Sequence, residues 1–168
     1  KPPHFWPVWL CSAIDANTLI DDLVIARQSG TNPLGVLLPN KPMRGTWRDF
    51  EPAFAEAARL GLPVHWHAFS RPTVGSFGCH PLQVAWEAFR PAQDVLIELL
   101  CEGILARHPG LQVVFAESDY QWVRHAMERL YRYGERYGAL VGWRDWDQID
   151  ERVARQVTTK QRHRRCAM

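Results

Sequence analysis

The sequence predicts an α/β fold of parallel strands joined by helices, and three observations carry that prediction. A strand-like apolar run followed by a helical pattern occurs four times along the chain, which is the mark of parallel βα architecture. One of these runs, Leu34 to Leu38, is short and wholly apolar, as in a strand covered on both faces. The segments between them are long enough for crossover helices and are punctuated by Gly and Pro. Length and composition agree: 168 residues, 46% apolar and 23% charged, suffice for one domain with a buried core.

In chain order, the first strand is predicted over Phe5 to Cys11 and the first helix from about Ala16 to Ser29. Leu19, Leu23 and Ala26 recur there at helical spacing, and Gly30 closes the helix. Leu34 to Leu38 is the second strand. An amphipathic helix over Trp47 to Leu60 follows, ended by Gly61. The third strand, Val64 to Ala68, leads into a long Gly- and Pro-rich loop, Phe69 to Pro81, of a length that usually serves a function in a compact domain. A short helix is expected over Leu82 to Phe89, and Pro91, at an N1-like position, starts another through Ala106. His108, Pro109 and Gly110 stop it. The fourth strand is Gln112 to Ala116, and Ser118 with Gln121 three residues later fits a capping box opening a helix to about Arg136. Residues 1–142 thus form the α/β domain, and 143–168 a C-terminal helix over Trp143 to Val157 with a basic tail.

Charge and composition exclude several function classes. Net charge is +2, with +5 in residues 151–168 and −3 in the remainder. The basic end around Lys160, Arg162, His163, Arg164 and Arg165 has no aromatic residue interleaved for base stacking, so it reads as a solvated tail rather than a nucleic-acid surface. No run of about 18 apolar residues is present to span a bilayer, and no signal-peptide order begins the chain. A cytoplasmic setting is the expectation. Cys11, Cys79, Cys101 and Cys166 include no CxxC pair, which argues against a disulfide framework or a thiolate zinc site.

The chemistry-bearing feature is His65-Trp66-His67 at the end of a strand that precedes the long loop. Residues two apart on a strand share a face, so both imidazoles point one way while Val64 and Trp66 point to the helices. Neutral imidazoles at that end can ligate a divalent metal, and the C-terminal end is where parallel folds build their sites. A hydrogen-bonded core histidine is the other role open to them. Glu117 ends the fourth strand in the same way, where a carboxylate can be a metal ligand, a general base or an orienter of a histidine. It can equally complement the dipole of the following helix together with Asp119.

Three passages resemble a known family: Leu60 to Phe69 (LGLPVHWHAF), His80 to Gln83 (HPLQ) and Glu102 to Tyr133 (EGILARHPGLQVVFAESDYQWVRHAMERLYRY). They are similar to the amidohydrolase-related group that contains amino-carboxymuconate-semialdehyde decarboxylase, hydroxybenzoate-type decarboxylases and related hydrolases. The resemblance covers most of residues 5–137. It implies a metal-dependent (β/α)8 TIM barrel, here in part, with about four strands. The activity implied is decarboxylation or hydrolysis of a small carboxylated aromatic or ring-derived substrate. It further implies that His67 binds the metal, zinc first and manganese second, that Glu117 and His80 are catalytic, and that His65 and Trp122 contact substrate.

The departures from the family pattern are specific. The first-strand His-x-His pair is not found before residue 65, where His4 stands alone, and the late Gly-Ser-Asp setting is absent as well. A complete barrel of this kind needs about 250 residues. The chain, which begins at Lys1, is therefore expected to be a segment running from roughly the third to the sixth βα unit. A non-catalytic half barrel that assembles, for example as a homo-oligomer, is the competing expectation.

Overall fold

The computed structural model describes residues 5–68 and 90–137. The chain divides into two compact units, Lys1–Asp119 and Tyr120–Met168. The expected loop over Phe69 to Pro81, the short helix over Leu82 to Phe89, His80 and everything from residue 138 onward, including the expected boundary near 142, lie outside the described residues.

The first unit is a four-stranded parallel sheet in the sequential order β1-β2-β3-β4. Its elements are β1 (Val8–Leu10), α1 (Ala16–Gln28), β2 (Gly35–Leu38), a 3₁₀ turn (Trp47–Phe50), α2 (Glu51–Leu60), β3 (Val64–His67), α3 (Arg90–Cys101), α4 (Ile104–Arg107) and β4 (Val113–Ala116). Asp15 caps α1 by accepting from the Thr18 backbone N–H at 2.8 Å, and Leu19, Leu23 and Ala26 form its buried stripe, as their spacing predicts.

Two helices differ from the sequence reading. The segment over Trp47 to Leu60 is a 3₁₀ turn that passes into an α-helix, because the Thr46–Asp49 capping box and the Glu98 carboxylate, which accepts from the Trp47 backbone N–H, hold the first turn tightly. The helix expected to run to Ala106 is broken by Gly103, whose φ of 68° lies in the left-handed region and ends α3 before a one-turn α4 begins.

All of the connecting helices bury their apolar sides in one core. A sequential parallel order with right-handed crossovers lays every helix on the same face of the sheet, and the core confirms it. Leu19 and Leu23 of α1, Phe54 and Ala57 of α2, Val95 and Leu99 of α3 and Ile104 of α4 cluster with Val36, Leu38, Val64 and Trp66 from alternate strand positions. Trp66 is fully buried there, with ring centroids 5.5 Å from Trp47, 6.1 Å from Phe54 and 5.6 Å, stacked, from Phe115. The opposite face carries the other parity, with Leu10 74% exposed, Val8 and Val114 partly exposed, and His65 and His67 half-buried. Among the described residues of this unit the helices pack on one face only, and with strands in chain order that makes an arc of a barrel rather than a doubly wound sheet.

The second unit contributes α5 (Gln121–Tyr137). The capping box expected at Ser118 does not form. Asp119 sits at φ 53°, outside the helical region, and the Ser118 hydroxyl donates to the Ala116 carbonyl at 3.0 Å, so the helix begins two residues later than that box requires. Among the described residues no helix is long and apolar enough to cross a membrane.

Candidate functional site

The C-terminal ends of β3 and β4 meet at one mouth. His67 is the last residue of β3 and pairs in register with Ala116 of β4, so the strands end level and Glu117 is the first residue past them. Its Oε2 lies 3.5 Å from His67 Nε2. Pleat parity alone would not produce this approach: Ala116 shares the face of His67, and a continuing strand would send the next side chain to the helix side. The backbone of Glu117 instead turns into the left-handed region at φ 53°, as does that of Asp119. For residues other than glycine this conformation costs of order 1 kcal/mol and concentrates at functional positions. The side chains of the pair are 36% and 66% exposed.

His65 shares the face of His67 but faces elsewhere. A Cβ built on Gly35 would lie 2.5 Å from His65 Nε2, so the imidazole leans over the start of β2, away from Glu117. This Nε2 is buried without a well-formed hydrogen bond. Burial lowers the pKa of the ring below its ordinary value, with the Leu34 backbone hydrogen bond working in the opposite direction. Trp122 is half-buried on α5 in the second unit. The structure thus brings His67 and Glu117 together and gives His65 a different neighbourhood.

Two residues flanking β2, one at each end, escape sequence reasoning. Asn40, 5% exposed and two positions past β2, donates from Nδ2 to the His67 carbonyl at 2.7 Å and to the Ala68 carbonyl at 3.4 Å. Its one signal was a polar residue directly after an apolar strand. Gly35 carried the more readable signal of a glycine opening a strand, where close approach of another group is the usual cause. Beside Asn40, a cleft of about 310 Å³ is lined by Lys41, Thr46, Trp47, Pro91, Asp94 and Glu98 among others. With two carboxylates against one ammonium, it favours a cationic or hydrogen-bond-donating guest over a carboxylate.

The donor set at the mouth suits a divalent ion of the zinc type, since imidazole nitrogen and carboxylate oxygen are both regular zinc ligands. It supplies two of the three or more protein donors such an ion takes. Among the described residues no group of three His, Cys, Asp or Glu side chains able to hold a metal converges, so such an ion would need donors beyond His67 and Glu117.

Comparison with known proteins bears on the fold and the family. No curated protein matches the chain. A solved amidohydrolase from Mycobacterium avium subsp. paratuberculosis K-10 is similar in fold, with a TM-score of 0.63 at 20% sequence identity. The match covers 79% of this chain and 37% of that one, so the chain spans well under half of that protein's length. The amidohydrolase family model matches residues 21–160, a stretch that includes β2, β3, β4 and the His67–Glu117 mouth, and on that match the chain belongs to the amidohydrolase family.

Proposed function

We propose that the chain forms part of a metal-dependent amidohydrolase-type enzyme acting on a small carboxylated aromatic or ring-derived substrate, by hydrolysis or decarboxylation, in the cytoplasm. The observation that carries the proposal is the convergence of His67 and Glu117 at the C-terminal mouth of adjacent parallel strands, reached through a strained backbone at Glu117. Amidohydrolases generally use divalent metals. Here His67 Nε2 and a Glu117 oxygen would hold the ion, zinc before manganese, with the remaining donors supplied from outside this pair. The chemistry such an ion supplies when bound is Lewis acidity toward a carbonyl or carboxylate oxygen. Glu117, the more exposed partner, has a second oxygen able to take a proton from a nucleophile or return it to a product. The aromatic core behind Trp66 keeps water from the helix side of the strand that carries His67. His80, as a catalytic group, and Trp122, as a substrate contact, enter this reading on the strength of the family resemblance alone.

Zinc titration of the purified chain tests the assignment. Binding of one ion per chain in the wild type, weakened tenfold or more in both His67→Ala and Glu117→Gln, is the expected result. Equal affinity in wild type and variants overturns it.

A second reading, a half barrel that assembles without metal, draws on the exposed apolar side chains near the β1 edge. Phe5 is 86%, Leu10 74% and Trp6 54% exposed, and an open parallel edge of this kind invites pairing with another chain. A stable dimer by sedimentation together with no zinc uptake would favour this reading over the first.

A further inference from the structure

We propose that Asn40 is a positioning residue for His67, holding the end of β3 so that the imidazole meets Glu117. The proposal rests on the reading of His67 as a metal ligand. Asn40 follows β2, the strand next to β3, and reaches across the mouth to donate to the carbonyls of His67 and Ala68 at 2.7 and 3.4 Å. The orientation of its amide is fixed by chemistry, because turning it over would set Oδ1 against two carbonyl oxygens. Its Oδ1 is consequently left buried without a hydrogen-bond partner.

The bonds at the far side of His67 show what is held. The Ala68 backbone N–H donates to the Ala116 carbonyl at 3.2 Å, tying the end of β3 to the end of β4 immediately before Glu117. Without the Asn40 donors that tie is the last one at this end of the strand among the described residues, and strand ends fray first. At the other end of the same strand, the Val64 N–H donates to the Gln112 carbonyl at 2.9 Å, far from Asn40 in the strand direction. The two amides therefore report separately on the mouth and on the sheet as a whole.

Native-state hydrogen exchange on the wild type and Asn40→Ala is the direct test. Ala68 is expected to exchange at least tenfold faster in the variant, with Val64 within about twofold of wild type. An equal acceleration at both amides makes Asn40 a general stabiliser and overturns the proposal, as does no change at either. Should Asn40→Ala fail to fold, Asn40→Leu, close to Asn in shape and with no oxygen to set against the two carbonyls, removes both donors and is measured in the same way. Zinc affinity supplies the functional arm: Asn40→Ala is expected to weaken binding about tenfold, while Val36→Ala, a truncation on the helix face of β2, leaves it unchanged. Equal weakening in the two variants overturns the proposal. If the wild type takes up no zinc but Ala68 alone exchanges faster, the metal assignment falls and the positioning of His67 by Asn40 stands.

Discussion

Replacing Glu117 by glycine separates what this residue costs the fold from what it does at the mouth. At φ 53°, an L-residue carries roughly 1–2 kcal/mol of steric strain that glycine does not. Glycine also frees the unfolded chain, at a cost of about 0.4–1 kcal/mol relative to alanine. With side chains 36% and 66% exposed, the pair with His67 contributes under about 1 kcal/mol, and it is lost equally in Glu117→Ala and Glu117→Gly. Comparing these two variants cancels it. Glycine should then be the more stable of the two by about 0.5 kcal/mol, whereas in ordinary helix or strand positions glycine is the less stable by a similar amount. Urea unfolding with matched m-values measures the difference. A glycine variant less stable than the alanine variant by 0.5 kcal/mol or more, on the scale just estimated, would refute the claim that backbone strain aims this carboxylate. Both variants should lose zinc affinity alike, which places strain and ligation in one residue with opposite effects.

Two other perturbations follow from the same region and from the helix layer. Gly35→Ala would push a methyl group against the Pro63 carbonyl and to within 2.5 Å of His65 Nε2, and since neighbouring strands cannot part, a loss of about 2–3 kcal/mol in chemical unfolding is expected; a change under about 0.5 kcal/mol would mean the ring and strand give way freely. Glu51 accepts from Arg107 at 2.6 and 2.7 Å and lies 3.0 Å from His108 Nε2, and these contacts, Arg107 first, hold its pKa below the ordinary carboxylate value. The folded chain then binds fewer protons than the unfolded one between the two values, so this contribution is present above the unfolded pKa and is lost as pH falls through the lowered one. Glu51→Gln should flatten the acid limb of stability against pH, and an unchanged slope would show that the Arg107 contact carries no linkage.

How far the sequence revealed this arrangement depended on how local each cause is. Strands β2, β3 and β4 were readable because short apolar runs bounded by Gly and Pro leave little else for the chain to do. The split at Gly103 and the 3₁₀ start at Trp47 were not, since a left-handed glycine inside a periodic helix pattern looks like a tolerated one, and the carboxylate that fixes Trp47 comes from Glu98, 51 residues away. At the mouth, alternation gave the shared face of His65 and His67 correctly. It could not give the direction of each ring: that of His65 is set by the space over Gly35 on the neighbouring strand. Glu117 was found by its place after a strand although strict alternation points it the wrong way. Asn40 left no spacing signal because its partners are backbone carbonyls 27 and 28 residues on.

The core, more than the mouth itself, decides where the imidazoles stand. Side chains alternate with a period of two, so a slip of β3 by one residue would carry His65 and His67 into the helix layer and set Trp66 in the open. Trp66 is enclosed by Trp47, Phe54 and Phe115, and replacing that indole with an unpaired imidazole would forfeit its apolar burial and bury polar nitrogens without partners. The aromatic cluster thereby locks the register that puts His67 level with Ala116, and the Glu117 carboxylate, one residue past that level on a left-handed backbone, then closes on it. A lesion confined to the helix face of β3 should therefore disturb zinc affinity in proportion to lost register rather than to lost stability, which sets it apart from truncations such as Val36→Ala on β2.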